Sequence, residues 1–131
     1  MTSNADIAVA ALRAMTTPSQ ADEFLDALTP DATWTIPGDW PRISGIQRRP
    51  QLDSFVRIAM PAGFPAGSEL QIRNVAEAGD TVFVELVATA VTGKGRDYEN
   101  RYCFVVDLLD GKVAAIREYM DTLYADRVLH Q

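Results

Sequence analysis

The sequence holds one cysteine and one histidine in 131 residues, and each scarcity excludes a class of chemistry. Cys103 alone cannot close an intramolecular disulfide, and it reads as a buried structural thiol; no Cys/His spacing suggests a zinc site. His130 lies one residue from the end of the sequence, where fraying and solvation are expected. Ser-His-Asp, Cys-His and His-Asp arrangements are therefore not expected, and a single histidine excludes any two-histidine metal site. Bases are also few: 12 Lys and Arg stand against 18 Asp and Glu, a net charge of −6. Arg48-Arg49 is the only adjacent basic pair, so neither nucleic acid nor an anionic membrane surface is expected as a partner. No apolar run approaches the ~20 residues that span a bilayer. The opening Met1 to Asp6 carries an acid where a secretory signal carries bases, so a cytoplasmic location is expected.

What is present is ordinary globular composition, 47% hydrophobic and 23% charged. No repeat or flexible linker divides the chain, which reads as a single domain over 1–131. The first half has helical periodicity. Ile7, Ala8, Ala11, Leu12 and Met15 share one face; Thr17, Pro18 and Gln20 predict a capping box; Ala21, Phe24, Leu25 and Leu28 continue the pattern to Pro30. A short β-rich stretch, 33–36, precedes the loop Pro37 to Pro41. A third helix carries Leu52, Phe55, Val56 and Ala59 and is expected to stop before Pro61.

The second half changes period. Residues 69–78, 81–92, 97–108 and 112–121 predict four strands joined by Gly79-Asp80, Gly93-Lys94 and Asp110-Gly111, an antiparallel meander preceded by helices and so an α+β fold. Strand 81–92 is apolar on both faces: Val82, Val84, Leu86 and Ala88 on one, Phe83, Val87 and Val91 on the other. Helices can cover one face, and a second copy of the chain is the simplest cover for the other. A homodimer through the outer sheet face is therefore expected, with Arg101 or Arg117 paired to Asp121 inside it.

Glu85 is the only charge between Thr81 and Gly93. Two readings stand side by side: a carboxylate satisfied by an ion pair or hydrogen bond, or an acid in a ligand pocket. With Gly93-Lys94 as a two-residue turn and Leu109-Asp110-Gly111 as a three-residue loop, Asn74, Glu85, Tyr102 and Glu118 fall in one row across four strands. Ile72, Val87, Asn100, Phe104, Ile116 and Met120 surround that row, the make-up of a small-molecule pocket. A bulge, or a two-residue Asp110-Gly111 turn, would send Glu118 to the other face. Trp34, Ile36, Met60 and Phe64 are further candidates for the pocket wall or rim, although Trp34, Trp40 and Tyr102 serve equally well as packing residues.

Several segments resemble a known family: Trp34-Thr35-Ile36-Pro37-Gly38 with Ser44-Gly45, then 95–102, and Asp110-Gly111-Lys112-Val113 leading into Arg117-Glu118-Tyr119-Met120-Asp121. Together, over about residues 5–127, they resemble the SnoaL-like branch of the NTF2-like superfamily, which includes polyketide cyclases and is related to ketosteroid isomerases and limonene-epoxide hydrolases. The resemblance implies a cone of helices over a curved sheet enclosing an apolar pocket, commonly as a homodimer. It does not carry one reaction. Glu118 matches the last-strand acid of the epoxide hydrolases, but their Arg position is Glu85 and their second Asp position is Val87. The cyclases pair Asp with a His, and no histidine is expected in this pocket. Arg48-Arg49-Pro50 also replaces the Gly-containing turn often seen before the third helix. The leading expectation is a cofactor-free, metal-free isomerase, cyclase or hydrolase acting on a small apolar oxygenated ligand. Glu118 and Glu85 would be its acid/base pair and Tyr102 the donor to a developing oxyanion. The alternative is a non-catalytic ligand-binding or dimerisation module; a protein-trafficking adaptor is the third reading.

Overall fold

The computed structural model describes residues 2–131. Helix α1 (Asn4–Met15) opens where the Ser3 hydroxyl accepts the Asp6 N–H at 3.1 Å, and it buries Ala8, Ala11, Leu12 and Met15. Thr17 does not cap the next segment, because its hydroxyl donates back to the Arg13 carbonyl, and Pro18–Gln20 forms only a 3₁₀ turn. Helix α2 (Ala21–Asp26) ends before Leu28, where the Ala27 N–H bonds the Glu23 and Phe24 carbonyls. Leu28 instead begins strand β1 (Leu28–Ile36), which runs parallel to the last strand. The sheet is therefore mixed rather than a pure meander, and its six strands lie in the spatial order Gly45–Gln47, Leu28–Ile36, Lys112–Met120, Asp97–Leu109, Thr81–Val91 and Glu69–Ala78.

Strand β2 (Gly45–Gln47) forms one edge. The third helical segment continues past the point where proline was expected to stop it. It passes from α3 (Arg49–Ser54) through a π-helical stretch, Phe55–Ala59, into α4 (Met60–Gly63). Pro61 lacks an N–H and would crowd the carbonyl of an ordinary α-turn; the wider π-turn just before it relieves both problems.

Strands β3 (Glu69–Ala78), β4 (Thr81–Val91), β5 (Asp97–Leu109) and β6 (Lys112–Met120) are the antiparallel part of the sheet. The Gly79-Asp80 turn sets Asn74 opposite Glu85, as its spacing predicts. The next turn differs. Val91 pairs with Asp97, and the loop takes three residues, Gly93-Lys94-Gly95, with Gly95 at φ +78°. That extra residue places Glu85 opposite Cys103, not Tyr102. The last hairpin is a two-residue Asp110-Gly111 turn with both φ positive (50° and 78°), which alone would turn Glu118 outward. An irregularity between Asp107 and Leu108 leaves Ala114 unpaired, restores the parity and sets Glu118 opposite Phe104, two residues from the expected partner.

The inner face of the sheet packs on α1, α2 and α3, with Leu12, Phe24, Trp34, Leu52, Val82, Val84, Val106 and Ile116 less than 2% exposed. The outer face carries Phe83, Val91 and Tyr119, each 41–52% exposed, and an Arg117–Asp107 ion pair at 2.7 Å; among the described residues Asp121 makes no such pair and instead caps a helix. That helix, α5 (Thr122–His130), follows the sheet and ends on His130, the residue where fraying was expected. Its signal was in the chain: Asp121 as cap, with Tyr124, Ala125, Val128 and Leu129 recurring at helical spacing. No described helix is long and apolar enough to cross a membrane.

Candidate active site

Between the inner sheet face and the helices lies a cavity of about 360 Å³. Ile36, Leu70, Leu86, Ala88, Phe104 and Met120 form its sheet wall, and Met15, Phe55, Ala59, Met60 and Phe64 its helical wall. Of the lining residues, Ala59, Ala62 and His130 are the exposed ones, so the mouth lies between the end of the third helical segment and α5.

Glu118 is the carboxylate of this cavity. It is 7% exposed, and among the described residues its side chain has no hydrogen-bond partner. Strand alternation puts it there with Ile116 and Met120, between the outward Arg117 and Tyr119. An ionised carboxylate without partners in apolar surroundings is strongly disfavoured, and burial pushes its pKa up to about 8.

A second polar feature lies alongside. Tyr98, Asn100 and Tyr102 alternate on the same face of β5. The Tyr98 and Tyr102 hydroxyls are 2.6 Å apart, and the Asn100 side-chain amide donates to the Tyr98 oxygen at 2.9 Å and to the Asp121 carbonyl at 3.1 Å. Both phenols have raised pKa values, Tyr102 strongly; burial is the main cause, and the charge of Glu118 adds to it. They therefore stay protonated donors.

The structure brings together Glu118, Tyr102, Ile36, Phe104, Met120, Met60 and Phe64. It separates the other candidates. Glu85, Asn74 and Val87 lie on the outer face, around a shallow depression shared with Arg101 and Cys103, because the three-residue turn reverses the parity of β4 against β5. Glu85 is satisfied there by the Asn74 amide at 2.6 Å. Cys103 is only half-buried. Trp34 and Ile116 are core residues beneath the cavity, with Trp34 edge-on to Phe24 and Phe55. Asn100 supports the tyrosine pair from behind. Sequence reasoning missed Tyr98, although its alternation with Asn100 and Tyr102 marks it. It also missed the cavity-lining His130, whose position depended on the unread α5.

A family model described as a SnoaL-like domain matches residues 9–116. The chain belongs to the SnoaL-like domain family. Solved structures agree with this. An NTF2-like protein from Burkholderia xenovorans LB400 is 25% identical, covers 97% of this chain and 95% of its own, and superposes with a TM-score of 0.75. An NTF2-like protein from Anabaena variabilis ATCC 29413 has 23% identity, 89% coverage of each chain and a TM-score of 0.77. TerC, crystallised with polyporic acid, has 19% identity, coverage of 94% and 98%, and a TM-score of 0.75. No curated protein matches the sequence. These likenesses establish the α+β NTF2-like fold of this SnoaL-like chain, while the chemistry of its cavity rests on the residues above.

Proposed function

We propose that this SnoaL-like protein binds a small apolar, oxygenated molecule and moves a proton on it, with Glu118 as the base and the Tyr98–Tyr102 pair as the oxyanion-stabilising donor. The observation that carries this reading is Glu118 itself: a buried acid kept without a protein partner among the described residues, facing a cavity that is largely apolar, with two phenols beside it and His130 at the mouth. A residue there for stability alone would be paired or apolar. With Tyr98 donating to Tyr102, the Tyr102 hydroxyl is free to donate to a carbonyl oxygen as it becomes an enolate. Glu118 takes the proton from the adjacent carbon and returns it elsewhere, which is isomerisation or cyclisation without a cofactor. TerC, which shares this fold, was co-crystallised with polyporic acid, and an oxygenated organic molecule is the kind of occupant proposed for this cavity.

One observation favours a second reading, that of a binding module. Glu85 faces away, so the expected acid/base pair is reduced to one carboxyl. Deuterium uptake at the activated carbon of cyclic ketones in D₂O separates the two. The enzyme reading expects uptake that rises with pH through about 8 and falls 10²-fold or more in Glu118→Gln. Tight binding of the same ketones without uptake would leave the binding module.

The same proposal includes a homodimer through the outer sheet face, supported by exposed Phe83, Val91 and Tyr119 on one surface. The half-buried free thiol of Cys103 on that face fits a reducing compartment such as the cytoplasm.

A further inference from the structure

At the mouth of the cavity α5 presents a second constellation. Asp126 accepts three hydrogen bonds: from the Trp40 indole N–H at 2.8 Å, from His130 Nδ1 at 3.0 Å, and from the Gln131 amide at 3.1 Å. Those donors hold the Asp126 carboxyl below its usual range, Trp40 most strongly, so it stays an acceptor. The proton between Asp126 and His130 therefore sits on Nδ1. The imidazole is further placed by Trp40, whose ring centroid is 5.4 Å from its own. Trp40 is fixed in turn, since its backbone N–H donates to the Ser44 hydroxyl at 2.9 Å and that hydroxyl donates to the Pro37 carbonyl. Nδ1 is thus occupied. Nε2 has no protein partner among the described residues, and the ring is part of the cavity lining.

A histidine that merely covers an apolar mouth needs no carboxylate behind it. Two elements distant in sequence, the loop of Trp40 and helix α5, converge on Asp126 to fix the orientation of one ring. We propose that His130, positioned by Asp126, is a ligand-binding residue whose Nε2 meets an acidic oxygen (a phenol, enol or carboxylate) at the outer end of a flat apolar ligand whose inner oxygen meets Tyr102 and Glu118. Neutral imidazole accepts from a phenol or enol at Nε2, and imidazolium donates to a carboxylate, so both protonation states hold such an oxygen. This rests on the reading of the cavity as a ligand site and adds the class of ligand: oxygen functions at both ends of an apolar body. Beyond the tyrosines, Glu118 and the hydroxyls of Thr16 and Ser68, the lining away from the mouth is apolar, and the Thr16 hydroxyl is already committed to the Leu12 and Arg13 carbonyls.

Two fluorescent probes test it on the intact protein. 2-Naphthol has one oxygen; 6-hydroxy-2-naphthoic acid adds an acidic oxygen at the far end of the same rings. The expected result is about tenfold tighter binding of the acid, a preference, read as the ratio of the two affinities, that His130→Phe abolishes. Asp126 is a positioning residue, and its signature is spectroscopic. The ¹⁵N shifts of His130 should report the Nδ1–H tautomer in the parent protein and a mixture in Asp126→Asn, with an intermediate preference for the acid. Equal affinity of the parent protein for both probes, or an unchanged preference in His130→Phe, overturns the inference and leaves the cavity reading standing. Failure of both probes to bind overturns both.

Discussion

At the scale of single residues, the energetics turn on Glu118. Its proton is held more tightly in the folded chain than in the unfolded one, where an ordinary Glu loses it near pH 4.3. Between that value and about 8 the native state binds the extra proton, so stability is highest below pH 4.3 on this account and falls as pH rises toward 8. At ~1.4 kcal/mol per unit the loss has an upper bound of about 5 kcal/mol. Glu118→Gln keeps the shape and removes the charge. We expect urea unfolding to show the variant about 1–4 kcal/mol more stable than the parent at pH 9, with the gap closing near pH 4. A gap that does not depend on pH would mean that the carboxyl is solvated. Tyr102→Phe deletes a hydroxyl whose partner is Tyr98 and leaves the ring stacked on Phe104 at 5.4 Å. The expected consequence is a loss of deuterium exchange of about 10²-fold in kcat with a smaller change in KM.

At the scale of elements, the decisive piece is the β4–β5 turn, whose two glycines do different work. Gly95 adopts φ +78°, which L side chains rarely adopt. Gly93 has an ordinary φ, but its N–H bonds the Gly63 carbonyl at 2.9 Å, and a Cβ there would lie 2.5 Å from the Ala62 carbonyl oxygen. This contact ties the turn to α4 at the cavity mouth. Gly95→Ala should cost about 1 kcal/mol in thermal or urea unfolding. Gly93→Ala should cost more, about 2–3 kcal/mol, and should also weaken ligand binding, because α4 has to move away.

The same turn shows what the sequence could and could not tell. Strands β3 to β6 and helix α1 were legible, because period and turn residues agree over long segments. Glu118 and Tyr102 were legible as cavity residues, yet for partly wrong reasons. The position of Glu85 was not legible. Gly-Lys-Gly fits a two- or a three-residue loop, and the choice is made by α4 closing on Gly93, a tertiary contact invisible in the strand pattern. The last hairpin involves two departures from regularity, a shorter turn and an unpaired Ala114, which cancel for Glu118. Pro30 reads in the sequence as a helix stop, but it sits inside β1 where the pairing between Leu28 and Thr33 is irregular. Helix α5 is short, and most of its apolar face becomes meaningful only against Trp40 and Tyr98.

At the scale of the whole molecule, the sheet has one face committed to core and cavity and one left open. That open face combines Phe83, Val91 and Tyr119 with the Asp107–Arg117 pair, to which Thr81 adds a hydrogen bond at 2.8 Å. Arg117 holds the Asp107 carboxyl below its normal range, so the pair persists well into acid. If two copies meet here, Phe83→Lys with Tyr119→Lys should shift sedimentation equilibrium from dimer to monomer without loss of helicity. An unchanged mass would move the interface elsewhere.

The unpaired Ala114 gives β6 a residue in reserve. Val113 lies opposite Leu108 and Ala115 opposite Asp107, so the chain spends two steps where its partner spends one. A deletion of Ala114 would straighten this hairpin while every later residue, Glu118 included, kept its partner. A deletion after the acid has no such slack to absorb it. Length variation in this gene would then be tolerated on one side of the catalytic candidate and penalised on the other, a polarity that a deletion scan of β6 would read directly.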